Sequence, residues 1–84
     1  METIIEKNEI KQWTLISKKL FNEIKENGNN VELCPYYPEK SDGQKYIIEK
    51  KAKNGDTIWV VNIIEINTDD KASKHTYHIV DYVA

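Results

Sequence analysis

The residues able to do chemistry are few in this chain of 84 residues and are spread along it. His75 and His78 have a spacing that could hold a metal from a helix, but on a strand the two rings point to opposite faces. Asp69 and Asp70 offer carboxylates, yet no glycine or bidentate glutamate completes a calcium loop around them. Cys34 is the lone thiol and needs a nearby base to act as a nucleophile. These patterns predict a protein that is not an enzyme and that binds no metal or other cofactor.

Composition narrows the class of partner. The formal net charge is −2, and all 12 basic residues are lysines. Arginine is the preferred side chain for bidentate contacts with phosphate and guanine, and non-specific nucleic-acid binders carry a basic excess. We therefore expect no direct nucleic-acid binding. No apolar run approaches the ~20 residues of a membrane span, and the single cysteine suits a reducing compartment. Together with the abundance of Lys, Ile and Asn, this predicts a cytoplasmic protein of a bacterial host cell.

The clearest structural signal is a β-hairpin over residues Gln44 to Ile66. Two runs rich in β-branched and aromatic residues flank Asn54-Gly55, the residue pair favoured in a type I′ turn. That turn sets a register whose apolar pairs share one face of the sheet, namely Lys50–Trp59, Ile48–Val61 and Tyr46–Ile63. The opposite face, here called the second face, receives the pairs Lys51–Ile58, Glu49–Val60, Ile47–Asn62 and Lys45–Ile64.

A helix is predicted over Glu9–Asn27, with Asn8 as its N-cap. Apolar residues recur in this segment at helical spacing and form one stripe, made up of Ile10, Trp13, Ile16, Leu20, Phe21 and Ile24. Leu15 falls on the polar side. Gly28 is expected to end the helix in the left-handed conformation. We expect the stripe to pack on the apolar face of the hairpin, opposite the second face, with Trp13, Leu20 and Ile24 in the core.

Two further strands complete the predicted fold. Val31–Cys34 alternates and is expected to stop at Pro35, and His75–Val83 is expected to be the last strand. The chain is then a single α+β domain over residues 1–84, with one N-terminal helix packed on a mostly antiparallel four-stranded sheet in the order α-β-β-β-β.

Three surfaces are candidates for contact with a partner. The second face carries more apolar surface than water ordinarily meets, and its candidate residues are Ile47, Ile58, Val60 and Ile64. The loop at Tyr36 and Tyr37 presents two aromatic side chains of the kind favoured in interfaces. Asp69 and Asp70 form an acidic loop that could meet a basic groove. The competing interpretations are that the chain's ends or lysine stems cover the second face, that one tyrosine folds back under the sheet, and that the acidic loop is merely solvated.

These features predict a small non-catalytic protein-binding module. Its size and composition suit an inhibitor or neutraliser of a partner protein, of the anti-defence or immunity type carried by phages and mobile elements. The expected partner is a protein, with a nucleic-acid enzyme among the candidates, and a homodimer through the second face is a further expectation. The alternatives are a nucleotide-sequestering or sensing domain with a pocket at His78 and Tyr82, and an accessory subunit of a larger complex.

Overall fold

A computed structural model describes residues 13–37, 43–67 and 75–83. They form one helix and five strands: β1 Thr14–Ile16, α1 Lys18–Asn27, β2 Asn30–Tyr36, β3 Gly43–Lys51, β4 Thr57–Asn67 and β5 His75–Val83. All strand pairs are antiparallel, and the sheet order is β1-β5-β4-β3-β2. The α+β prediction is therefore confirmed. The predicted count of four strands is wrong by one, because β1 occupies chain that was predicted to be helical.

The helix begins later than predicted. Ser17 is its N-cap, and its side-chain oxygen accepts a hydrogen bond of 3.1 Å from the backbone N–H of Leu20. Serine is among the best N-cap residues because it satisfies an N–H that has no partner inside the helix. The segment just before it pairs with β5, with Leu15 opposite His78. Residues 9–12 of the predicted helix, and its predicted cap Asn8, lie outside the described residues.

The helix ends at Asn27 as predicted, but Gly28 plays a different part. Its φ of −76° and ψ of 156° are extended rather than left-handed. A Cβ added at Gly28 would collide with Cγ2 of Ile48 and lie 3.1 Å from the carbonyl oxygen of Glu49. Glycine is thus required here for the close approach of the helix end to β3, not for its backbone freedom.

The predicted register of the hairpin is confirmed from Lys45 to Lys50, but the turn differs. Only Gly55 has a positive φ there, at 93°, whereas a type I′ turn would require one at Asn54 as well. The N–H of Gly55 donates to the carbonyl of Ala52 at 3.0 Å, and the N–H of Ala52 donates to the carbonyl of Asp56 at 2.8 Å. This is the pattern of a three-residue loop in which a type I turn is followed by a left-handed glycine.

The core lies between α1 and one face of the sheet, here called the helix face. Its buried residues are Ile16, Phe21, Ile24, Ile48, Trp59, Val61, Ile63, Tyr77 and Ile79. The ring of Phe21 stacks on Tyr77 with 4.3 Å between centroids and meets the edge of Tyr46 at 4.8 Å. The predicted core residues Ile24 and Trp59 are confirmed. Trp13 is not among them, because it precedes β1 instead of lying on the helix.

Two irregularities decide which side chains reach each face. The register of β3 and β4 shifts so that Lys51 pairs with Thr57 instead of Ile58. Ile58, predicted on the second face, is partly buried against the core cluster instead. A second shift lies between β4 and β5, where the partner of Asn62 is Asp81 and that of Ile63 is Ile79. Each bulge inserts one extra residue and changes the alternation beyond it.

Candidate functional site

The second face is less open than the sequence predicted. Ile64 is only 5% exposed, and Ile47 and Val60 are half-buried. Across the sheet Ile64 lies between Lys45 of β3 and His78 of β5, and His78 in turn faces Leu15 of β1. The central residues predicted for partner contact therefore offer little surface, and the accessible apolar surface of this face lies toward its margins.

The other predicted contact residues are dispersed. Tyr36 is half-buried at the end of β2, and Tyr37 beside it is exposed. Asp69 and Asp70 lie outside the described residues. The structure does not bring the tyrosines together with Ile47, because Tyr36 lies opposite Gly43, four residues along β3 from Ile47. Their predicted role in binding stays a prediction.

The most distinctive side chain on the second face is Trp13, which the sequence placed in the core. It is 50% exposed, and Leu15 two residues later is 64% exposed. The Trp13 ring lies edge-on to the ring of His78, with 5.9 Å between centroids and 64° between planes. We call Trp13, Leu15 and His78 the Trp13 patch. The Trp13 patch is continuous with the predicted second-face residues, because His78 pairs with Ile64 across the sheet.

The backbone of Trp13 is held in an unfavourable conformation. Its φ is +64°, and among the described residues it is the only one other than glycine with a positive φ. A bulky L residue in this region costs roughly 1–3 kcal/mol and persists where the surrounding structure fixes it. Such strain concentrates at functional sites. No local pattern in the sequence indicates this conformation, which occurs at the residue just before β1.

Two polar atoms on the second face are buried without a hydrogen-bond partner in the part of the chain that the structure describes. They are Nδ1 of His78 and Oδ1 of Asn62. A buried unsatisfied polar atom costs about 1–3 kcal/mol, and native structures contain few of them. Both belong to residues next to Ile64, His78 as its cross-strand partner and Asn62 two residues before it on β4.

A polar cluster lies on the helix face of the sheet around Glu65. Its carboxylate accepts a hydrogen bond from the hydroxyl of Tyr46 at 3.1 Å and lies 3.2 Å from Nδ1 of His75. Burial, and then the charge of Glu65 and its hydrogen bond, raise the pKa of Tyr46 to about 12. The phenol therefore stays protonated near neutral pH. Burial also raises the pKa of Tyr77, with a further contribution from Glu65.

A shallow cleft of about 500 Å³ opens where β1 meets the start of α1. Its walls are Leu15, Ile16, Ser17, Lys18, His75, Thr76 and Tyr77. His78 and Tyr82, expected to line one pocket, lie on opposite faces, because the bulge in β5 puts Tyr82 opposite Val61 on the helix face while His78 stays on the second face. His75 and His78 lie on opposite faces, as predicted for a strand. Within the described ranges no three His, Cys, Asp or Glu side chains converge as a metal site would require.

The edge strand β2 is a surface that the sequence interpretation missed. Val31 and Leu33 point to the helix face but lie beyond the helix, and Leu33 is 55% exposed. A signal for this was present in the sequence. Pro35 belongs to β2 rather than ending it, and a proline within a strand is typical of a sheet edge.

Against protein-family models, curated proteins and solved structures, the chain shows no match. The described part of the chain contains no helix long and apolar enough to cross a membrane.

Proposed function

We propose that this chain is a small non-catalytic protein-binding module that contacts its partner through the Trp13 patch. The observation that carries this proposal is a half-exposed tryptophan, held at φ +64° beside an exposed leucine. Tryptophan is enriched among the residues that dominate binding energy, and an exposed apolar side chain next to it extends the surface removed from water. Placing a side chain in the core does not require a strained backbone. We therefore attribute the strain at Trp13 to a functional requirement for the indole ring at this position.

The neighbouring strand supports a contact made with side chains. β1 has only three residues, so its edge offers few free backbone groups to a partner strand. The contact would therefore depend on the apolar surface of Trp13 and Leu15, with His78 of β5 beside them as the polar group. This geometry suits an apolar pocket or groove on the partner that takes up the indole ring.

The mode of action that we propose is occupation of the partner's surface, as an inhibitor or neutraliser does. The small size, the single domain and the composition suit anti-defence or immunity proteins of phages and mobile elements, acting in the cytoplasm of a bacterial host. A nucleic-acid enzyme remains a candidate partner through the acidic residues Asp69 and Asp70. Identification of the partner tests this finer proposal.

The experiment is affinity capture of the tagged chain from the cells that naturally express it, followed by titration of the purified partner. Leu15→Lys should weaken binding at least tenfold, since an ammonium replaces apolar contact surface at the patch. Val83→Lys is the matched control, because Val83 is 56% exposed, belongs to the second face and lies further along β5, five residues beyond His78. Equal losses for the two variants, or no stoichiometric partner at all, would contradict the proposal.

The alternative function is recognition of a small molecule, and the cleft beside Ser17 favours it. Its volume falls within the ~300–1,000 Å³ range of ligand pockets, and Lys18 and His75 could meet an anionic group. A nucleotide that raises the melting temperature of the native chain, but not of a Lys18→Glu/His75→Ala variant, would support this alternative.

A further inference from the structure

The outer edge of β2 has the features of a pairing surface. The strand has seven residues and no neighbour on its outer side among the described strands. Its exposed apolar residues Val31 and Leu33 share the helix face. A long edge strand with apolar side chains presents a row of unpaired backbone groups to another strand.

Pro35 shows which backbone groups point outward. It lies opposite Gln44 and has no N–H, and a proline is tolerated in an edge strand where its nitrogen faces away from the neighbouring strand. Backbone groups of a strand alternate in direction, so Val31 and Leu33 point outward with Pro35. The free edge therefore offers two N–H donors, from Val31 and Leu33, and carbonyl acceptors from all three residues.

We propose that a second copy of this chain occupies this edge, pairing β2 with β2 antiparallel around a two-fold axis at Leu33. In this register the two Leu33 residues face each other, and Val31 faces Pro35 of the second copy. Each Leu33 N–H meets the other Leu33 carbonyl, and each Val31 N–H meets a Pro35 carbonyl. The missing N–H of Pro35 thus costs only the bond to the Val31 carbonyl.

The two neighbouring registers would give a less stable pair of strands. A two-fold axis at Glu32 sets two carboxylates directly opposite each other, which is destabilising in a cross-strand pair. An axis at Cys34 pairs Leu33 with Pro35, so the Leu33 N–H is the only donor of each facing pair, and Val31 faces Tyr37, which lies beyond the end of β2. The chain's own residues therefore select the register centred on Leu33.

Charge complementarity supports the same arrangement. In the register centred on Leu33, Glu32 lies beside Cys34 of the second copy, and the β3 neighbour of that cysteine is Lys45. Two strand spacings, about 10 Å, separate Glu32 from that lysine, a distance that two long side chains span across a small cysteine. The two-fold axis repeats this pair. Both helices then lie on the same side of a continuous sheet.

This proposal is independent of the proposed function, since the Trp13 patch lies at the other edge of the sheet. Sedimentation equilibrium of the native chain should give about twice the monomer mass of 9.8 kDa. Leu33→Lys should give a monomer, because two ammonium groups would face each other. Leu15→Lys at the opposite edge is the control and should stay dimeric. A monomeric native chain, or a dimer unaffected by Leu33→Lys, would overturn the proposal.

Oxidative cross-linking tests the register itself. The Glu32→Cys variant, which keeps Cys34, should form a covalent dimer through disulfides between position 32 of one copy and Cys34 of the other. In the proposed register the Cα atoms of these residues lie about 4.5 Å apart, within disulfide reach. The native chain, with Cys34 alone, should not cross-link, and neither should Glu32→Cys/Cys34→Ser. Cross-linking of the native chain would place the axis at Cys34, and cross-linking of the double variant would place it at Glu32. Either result would refute the register centred on Leu33.

Discussion

The two tryptophans provide the sharpest test of whether Trp13 serves binding or stability. Trp59 is buried in the core, and Trp59→Ala should cost about 3–5 kcal/mol. A chain of 84 residues has a total stability of about 4–13 kcal/mol. Trp13→Gly should cost far less. A tryptophan side chain can bury ~200 Å², and the half-exposed Trp13 buries about half of that. Its removal should therefore cost ~2.5 kcal/mol of stability, of which relief of the left-handed backbone strain returns about 1–2 kcal/mol.

The assay is urea unfolding, followed for Trp13→Gly by the fluorescence of Trp59 and for Trp59→Ala by circular dichroism. We expect a loss of about 1 kcal/mol for Trp13→Gly, up to about 2 if the added flexibility of glycine counts fully. Binding of the captured partner should nevertheless be lost with Trp13→Gly. A destabilisation as large as that of Trp59→Ala would refute the reasoning, since Trp13 would then be a structural residue.

Three further predictions concern the fold. Gly28→Ala should destabilise by about 1–3 kcal/mol, because its Cβ would press on Ile48; a neutral result in thermal unfolding would show that the close approach is absent. Ser17→Ala should cost about 1 kcal/mol through loss of the cap to Leu20, whereas an unchanged urea midpoint would argue for a helix that starts earlier. Because the folded pKa of Tyr46 is raised from 10 to about 12, its contribution to stability is complete below pH 10 and is lost as the pH rises from 10 to 12. Tyr46→Phe should remove the tyrosinate absorbance that appears last in an alkaline titration, and an unchanged titration curve would contradict this.

The hairpin was predictable because its information is local. Period-two alternation and Asn54-Gly55 together set a register that the structure confirms from Lys45 to Lys50. The turn type was not predictable with equal certainty, because a glycine in the left-handed conformation serves both a type I′ turn and a glycine bulge. The separate register shift between Lys50 and Lys51 leaves Ile58 as an extra residue, so the predicted facing of Ile58 was wrong although its strand was right.

The helix start and β1 depended on information distant in sequence. The apolar stripe from Ile10 to Ile24 fits a helical period, but Thr14–Ile16 pairs with Tyr77–Ile79 at the far end of the chain. Such pairing is not visible in a local pattern. The Trp13 patch exists only because of it, which explains why the sequence placed Trp13 in the core. The exposure of Leu33, by contrast, could have been inferred from Pro35.

The most direct test of the central claim is site-specific photo-cross-linking in the cells that naturally express the chain. A photoreactive phenylalanine analogue at position 15 should form a covalent adduct with one partner protein. The same analogue at Glu26, an exposed residue of α1 on the opposite side of the sheet, is the control and should form none. An adduct at position 15 alone is the predicted result. No adduct there, or the same adduct at both positions, would contradict a binding role for the Trp13 patch.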